Sequence, residues 1–397
     1  VTGPLTVLFT HYGDAWFRGS ERVLYDLLTN LDPDRVRPIL WCNGAEMAEA
    51  ARAAGIITHR TPFEYYFDYA SPRFSLTRYR AFVREGSELV RRYGAKVLHA
   101  NGAAPAQWLL PVARSNRVPL LAHLHSPYLR RSRFVCLLHQ ADLVAGVSRF
   151  IVDDLVQDGG DPKRLRVIPN GVDFTRLRGD GGPDARAELG IPGDALVILS
   201  VGSLVARKAQ SVVIEAFATL RNDRDTHLIL AGEGPDRQML EAMIAERGLR
   251  GRVHMPGDRK DMPNLYLASD LFVLASRVEA FGLVLVEAGF FGLPSVASRV
   301  GGIPDVIVDG ETGALIPPDD PSALAASMAR LLDDPAQRRT MGDAAKRRVE
   351  ALFSVDRMVH AFQGTWSELA AIPPNRLGWT GGSLTFQPCW RLLLGRG

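Results

Sequence analysis

The chain has 397 residues, 46% hydrophobic and 23% charged, with a formal net charge of +3. That length suits two domains of roughly 150–200 residues each, and so balanced a charge does not mark a nucleic-acid binder. The three cysteines, Cys42, Cys136 and Cys389, lack the spacing of a disulfide framework or a zinc site, so a reducing compartment is expected.

The chain opens on an apolar stretch, residues 1–10, without a basic leader or a cleavage signature, and this reads as a first strand. Apolar runs follow at 6–11, 37–42, 96–101, 119–125, 143–147 and 166–169. Helical patterns lie between several of them, at 20–31, 74–93 and 149–157. Uninterrupted apolar strands alternating with helices predict a parallel sheet covered on both faces. This first domain is expected over residues 1–175. Residues 176–194 carry several glycines, prolines and charges and are expected to be the linker.

The rhythm then restarts. Strands are predicted at 196–201, 227–231, 252–255, 271–274 and 295–297. Helices are predicted at 211–221, 237–247, 283–291, 321–332 and 336–352. A second doubly wound domain is therefore expected over 195–371. The longest apolar stretch, 281–297, contains Glu287 and Pro294, so it does not read as a membrane span. Residues 372–397 are rich in Gly and Pro and read as a tail, disordered or loosely docked. Two such domains facing across a cleft would bind ligands at the carboxyl ends of their strands.

The most informative segment runs from Ser276 to Gly289. It follows an apolar strand and opens a helix, so the amides of Phe281, Gly282 and Leu283 lie where a helix start attracts anions. Glu279 precedes that helix. Glu287 sits inside it among apolar residues, where a carboxylate needs a partner, and ribose hydroxyls would supply one. The alternative is a buried strand–helix unit with one Glu at the cap and one exposed. Gly232-Glu233-Gly234 lacks the third glycine of a dinucleotide fingerprint, and no Gly-x4-Gly-Lys-Ser/Thr loop occurs.

In the first half, Arg18-Gly19-Ser20-Glu21-Arg22 opens a helix. His123-Leu124-His125-Ser126-Pro127 ends a strand, with the two histidines on one face. A two-histidine metal site lacks a carboxylate third ligand. Arg130, Arg131 and Arg133 suit an anionic membrane surface, a phosphorylated acceptor or a solvated helix start. The run Phe63, Tyr65, Tyr66, Phe67 and Tyr69 suits an acceptor platform or the core. Asn170-Gly171 marks a tight turn, and Ser148 reads as a helix cap. Asp32-Pro33-Asp34 and Asp223-Arg224-Asp225 read as turn or surface acids rather than a metal clamp, so no metal is expected.

The second half resembles glycosyltransferase family 4. Glu279 and Glu287 have the spacing of that family's Glu-x7-Glu element. The resemblance continues through 199–208, Gly232-Glu233-Gly234-Pro235, 253–257, Gly292-Leu293-Pro294 and Gly301-Gly302-Ile303-Pro304-Asp305. It implies α/β GT-B architecture, two Rossmann-like doubly wound domains, and metal-independent, retaining transfer of a hexosyl group from a nucleotide sugar. It assigns catalytic roles to His125, Lys208 and Glu279, with Lys208 on the diphosphate. It implies donor contacts from Gly19, Gly202, Arg207, Phe281, Gly282, Leu283 and Glu287. Ser203 stands where the family usually has an Arg, and Gly19 where it often has two glycines. Those departures keep open a non-catalytic nucleotide-sugar-binding protein of the same fold. UDP-sugars are the first expected donors and GDP-sugars the next, with a glycan, lipid-linked or small-molecule acceptor. No cofactor is implied, and the expected location is the cytoplasm, peripheral to the membrane if the acceptor is a lipid.

Overall fold

The computed structural model describes residues 3–13, 19–63, 75–178, 184–220 and 225–377. Arg18, the aromatic residues from Tyr65 to Tyr69, Asp223 and the tail beyond residue 377 lie outside them. The chain forms two compact units: Val1–Gly171 with Val355–Gly397, and Val172–Ser354.

The first unit holds seven strands: β1 (Leu5–His11), β2 (Val36–Cys42), β3 (Ile57–Arg60), β4 (Val97–Asn101), β5 (Leu120–Leu124), β6 (Leu143–Gly146) and β7 (Leu165–Val167). They form one parallel sheet in the order β3-β2-β1-β4-β5-β6-β7. Strands β4, β5 and β6 are buried along their whole length, which is why they read as continuous apolar runs. The second unit holds β8 (Leu196–Val201), β9 (Thr226–Ala231), β10 (Val253–Gly257), β11 (Leu271–Leu274), β12 (Ser295–Ser298) and β13 (Gly313–Ile316). Its sheet is also parallel, in the order β10-β9-β8-β11-β12-β13. Each sheet therefore reverses direction once, between β1 and β4 and between β8 and β11. In a doubly wound sheet, ligands bind at that reversal, outside the carboxyl ends of the strands.

Three boundaries differ from the sequence expectation. Residues 184–194 pack into the second unit rather than forming a free linker. Arg186 pairs with Asp270 at 3.0 Å and donates to the carbonyls of Ala195 and Ala268. Phe174 stacks on Phe290 at 4.7 Å, so the first stretch of the first unit ends at Gly171 rather than at residue 175. The helix Val355–Ala370, expected in the second domain, belongs to the first unit. Its Trp366 meets Phe9 edge-on at 5.3 Å, and its Phe362 lies 5.2 Å from His99. Burying these aromatics on β1 and β4 outweighs the continuity of the chain.

Candidate functional site

In the first unit the reversal point is polar. His11 ends β1 and is paired in register with Asn101, which ends β4. Asn101 is in turn paired with His123 on β5, and His125 follows just past that strand. Glu21 comes from the first turn of the helix Gly19–Thr29, where the helix dipole favours a carboxylate. These side chains form one line of hydrogen bonds. His125 Nε2 lies 2.8 Å from Asn101 Oδ1, Asn101 Nδ2 lies 3.0 Å from His11 Nδ1, and His11 Nε2 lies 3.1 Å from Glu21 Oε1. His125 is held neutral, its pKa pushed down to about 3 by burial and by the neighbouring His11, against a smaller opposing effect of Glu21. For Glu21, burial raises the pKa, but the hydrogen bonds and charge around it prevail and the net shift is downward, so it is ionised.

His123, the other histidine of the strand-end motif, is fully buried, its ring 4.7 Å from Phe362. Gly19 is exposed at the start of its helix. Arg133 is buried between Asp158 at 2.5 Å and Asp154 at 2.9 Å, and Arg130 also reaches Asp158 at 3.2 Å. The basic cluster is thus partly neutralised by its own unit. Phe63 is a core residue, packed on Trp41 and Trp108.

In the second unit the loop after β8 carries Gly202, at φ 156°. The amide of Gly202 donates to Ala231 and that of Leu204 to Glu233, so this loop leans on the turn after β9. Only glycine fits in that turn. A Cβ at Gly232 would stand 2.1 Å from the carbonyl oxygen of Gly202, and one at Gly234 would stand 2.3 Å from that of Leu204. The Gly232-Glu233-Gly234 motif is therefore a brace for the loop. Downstream, Lys208 Nζ forms an ion pair with Glu279 Oε2, both side chains about one-eighth exposed. The pair joins the loop after β8 to the loop after β11, across the reversal point. Arg277 ties the same loops together: its amide donates to the carbonyl of Arg207 at 2.8 Å, and its guanidinium binds the carbonyl of Ala206 and, at 2.8 Å, Asp319. Arg207 itself is exposed and makes no ion pair with a described residue.

Behind Glu279 the backbone is clamped. The amide of Gly302 donates to the Glu279 carbonyl at 2.9 Å, and Gly301, at φ 53°, lies against that same oxygen. Gly282, at φ 95°, turns the chain into the helix Leu283–Phe290. Phe281 buries its ring against Phe353, leaving its backbone for the turn. Glu287, which the sequence marks as a carboxylate in need of a partner, accepts from the hydroxyl of fully buried Tyr266 at 2.7 Å. Burial and that carboxylate raise the tyrosine's pKa well above its usual value, so the phenol keeps its proton and donates.

The sequence expectation did not include His11, Glu21, Asn101, Tyr266 and Arg277 among the site residues. His11 and Asn101 carried a signal: each is a polar residue closing an apolar strand next to the order reversal. Tyr266, Glu21 and Arg277 carried none in isolation. Among the described residues, no three His, Cys, Asp or Glu side chains gather as a metal site, and no helix is long and apolar enough to cross a membrane.

The two sheets have the architecture of solved glycosyltransferases. Anabaena Alr3699/HepE, crystallised with UDP, superposes with a TM-score of 0.80 over 92% of this chain and 100% of that one, at 23% identity. A glycosyltransferase from Rickettsia africae superposes at 0.83 over 93% and 100%, at 20% identity. This is the GT-B fold. Residues 17–176 match the family described as Glycosyltransferase Family 4, and residues 183–348 match Glycosyl transferases group 1. Alpha-D-kanosaminyltransferase of Streptomyces kanamyceticus is 31% identical over 72% of this chain and 81% of its own length. A GDP-mannose-dependent alpha-(1-6)-phosphatidylinositol monomannoside mannosyltransferase of Mycolicibacterium smegmatis is 30% identical over 65% and 72%. The chain belongs to glycosyltransferase family 4 and is a glycosyltransferase.

Proposed function

We propose that the chain moves a sugar from a nucleotide-sugar donor to a hydroxyl of a glycan, lipid-linked or small-molecule acceptor, with retention of anomeric configuration. The observation that carries this reading is the Lys208–Glu279 ion pair at the reversal point of the second sheet. A cation beside a glycine loop and a helix start suits a diphosphate. UDP-sugars are the first donors to test, in keeping with the UDP and UDP-glucose complexes of the Anabaena protein. GDP-sugars are next, in keeping with the name of the mycobacterial relative.

In this reading the bond from the anomeric carbon to the diphosphate breaks, and negative charge grows on the departing phosphate. Lys208 and the amides of Phe281, Gly282 and Leu283 stabilise that charge, while Gly19 and Gly202 let backbone approach the phosphates and Arg207 adds a second cation. As Lys208 turns to the phosphate, Glu279 is released to accept from the donor sugar's hydroxyls, which His125 also binds. Glu287 accepts from the ribose, steadied by Tyr266. The departing phosphate takes the proton of the incoming hydroxyl, which attacks from the face being vacated. No protein nucleophile, metal or cofactor is assigned. We assign the enzyme to the cytoplasm, at the inner face of the membrane if its acceptor is a lipid.

The test is a thermal-shift panel of UDP-, GDP- and ADP-sugars followed by donor hydrolysis assays and transfer to each acceptor class. Stabilisation and slow hydrolysis by one nucleotide series are expected. A panel with neither would overturn the reading.

A further inference from the structure

A neutral imidazole has one donor nitrogen and one acceptor nitrogen, and what fixes their order at His125 lies three side chains away. An ionised carboxylate only accepts hydrogen bonds. Glu21 Oε1 therefore requires His11 Nε2 to donate, and Asn101 Nδ2, which can only donate, faces His11 Nδ1, so that Nδ1 is the acceptor. Asn101 must then present its amide nitrogen to His11 and its oxygen to His125. His125 Nε2 must donate to that oxygen, and its Nδ1 becomes an acceptor. That Nδ1 is buried and has no hydrogen-bond partner among the described residues.

We propose that Glu21, acting through His11 and Asn101, is a positioning residue that holds His125 in the tautomer protonated at Nε2, so that the ring offers an acceptor to a hydroxyl of the donor sugar. The proposal rests on the assignment of His125 to that sugar. The three members that set the polarity are shielded: His11 and Asn101 are 2% exposed and Glu21 8%, while His125 at the end of the line is half-buried. Ser20 donates to the second carboxylate oxygen of Glu21 at 3.1 Å. Gly13 is required by the contact itself, since a Cβ there would stand 2.4 Å from His11 Nε2 and 2.7 Å from Glu21 Oε1. Asn43 holds Gly13 in place through its amide and its carbonyl, at 2.9 and 2.7 Å. In such a connected line the polarity of one bond dictates the next.

The decisive variant is Glu21→Gln. A carboxamide of the same size can accept from His11 or donate to it, so both polarities of the line become available. Nitrogen-15 spectra of the histidines are expected to show His125 as the Nε2–H form in the native enzyme and as a mixture in Glu21→Gln. The variant's kcat/KM is expected to fall roughly threefold to tenfold, the scale of one hydrogen bond's net worth. Adding Asn101→Asp to Glu21→Gln restores an acceptor-only group next to His125, and it is expected to return the Nε2–H form and most of the activity. A purely structural Glu21 predicts no such rescue. An unchanged tautomer in Glu21→Gln, or a double variant that fails to restore it, overturns the proposal. His125→Ala separates the two ideas: full activity in that variant sinks the assignment of His125 to the sugar, whereas the spectra report on the line by themselves.

Discussion

Lys208 and Glu279 neutralise each other across the strand-order reversal of the second sheet, one from the loop after β8 and the other from the loop after β11. Neither is solvated enough to be indifferent to its partner. On the proposed function, the pair keeps an ammonium ready for a diphosphate without leaving it bare.

Replacing Lys208 should therefore act on the transition state more than on binding. Lys208→Ala is expected to lower kcat by about a hundredfold to a thousandfold, the loss seen when one preorganised donor to developing charge is removed. The donor KM should change much less. Initial-rate kinetics over a range of donor concentrations check this, and turnover near that of the native enzyme would remove Lys208 from its assigned role.

Tyr266→Phe deletes a single hydroxyl from beneath Glu287 and leaves the ring in place. The carboxylate would then lose a partner at 2.7 Å. A rise in donor KM of about fivefold to tenfold is expected, with kcat largely preserved, from the loss of one charge-assisted hydrogen bond. Calorimetric titration with the free nucleoside diphosphate should show the same loss. Equal affinity in the two proteins would mean that Tyr266 serves packing alone.

Gly301→Ala sets a Cβ 1.9 Å from the carbonyl oxygen of Glu279, at a backbone φ of 53°. Backbone on one side and backbone on the other leave nothing soft to yield. A stability loss above about 3 kcal/mol is expected, large enough to indicate a forced backbone shift. Gly310→Ala is the control, since it shares a positive φ, at 79°, but meets nothing within 4 Å. Its loss should stay near 1 kcal/mol, roughly the left-handed cost for a residue with a Cβ. Similar losses in urea melts of the two variants would contradict the clamp.

The buried histidines of the first unit predict a pH dependence. His99 is pushed down to about 3, chiefly by burial and further by His125, and neither of its ring nitrogens has a partner among the described residues. An unfolded histidine takes its proton near pH 6.5, so between there and pH 3 the unfolded chain binds more protons than the folded one. Stability is thus present above about pH 6.5 and is lost as the pH falls toward 3, by up to about 1.4 kcal/mol per unit for each such histidine. Denaturant midpoints between pH 7.5 and 5 should trace that slope, and His99→Leu should make it shallower by about one proton. An unaltered slope would assign the effect to other groups.

Much of this was legible in the sequence because parallel strands buried on both faces leave continuous apolar runs. β8 and β11 stand where the runs predicted them, and the helix Arg149–Gln157 matches to the residue. β3, Ile57–Arg60, escaped because it is a short, half-exposed edge strand, and β13 because its four residues begin on a glycine. The helix Ala106–Asn116 was hidden by Pro111 within it. Lys208, Glu279 and Glu287 were singled out by the resemblance to the family. Their neighbours Tyr266 and Arg277 were not, because what brings them there is the packing of separate loops. The same holds for Glu21 and Asn101, 80 residues apart in the chain and joined through His11.

The path of the chain makes the second unit a cassette. It begins at Val172, whose amide binds the carbonyl of Phe353 at 2.8 Å and which pairs with Ser354, the unit's last residue. Entry and exit thus lie side by side, and on either side of them Gly171 and Met358 are already bonded within the first unit. A segment whose ends meet can be replaced by another of the same kind without re-routing the remainder. On the proposed function, swapping residues 172–354 as a block is expected to exchange the nucleotide preference, provided that Val355–Ala370 stays with the host unit whose core it completes.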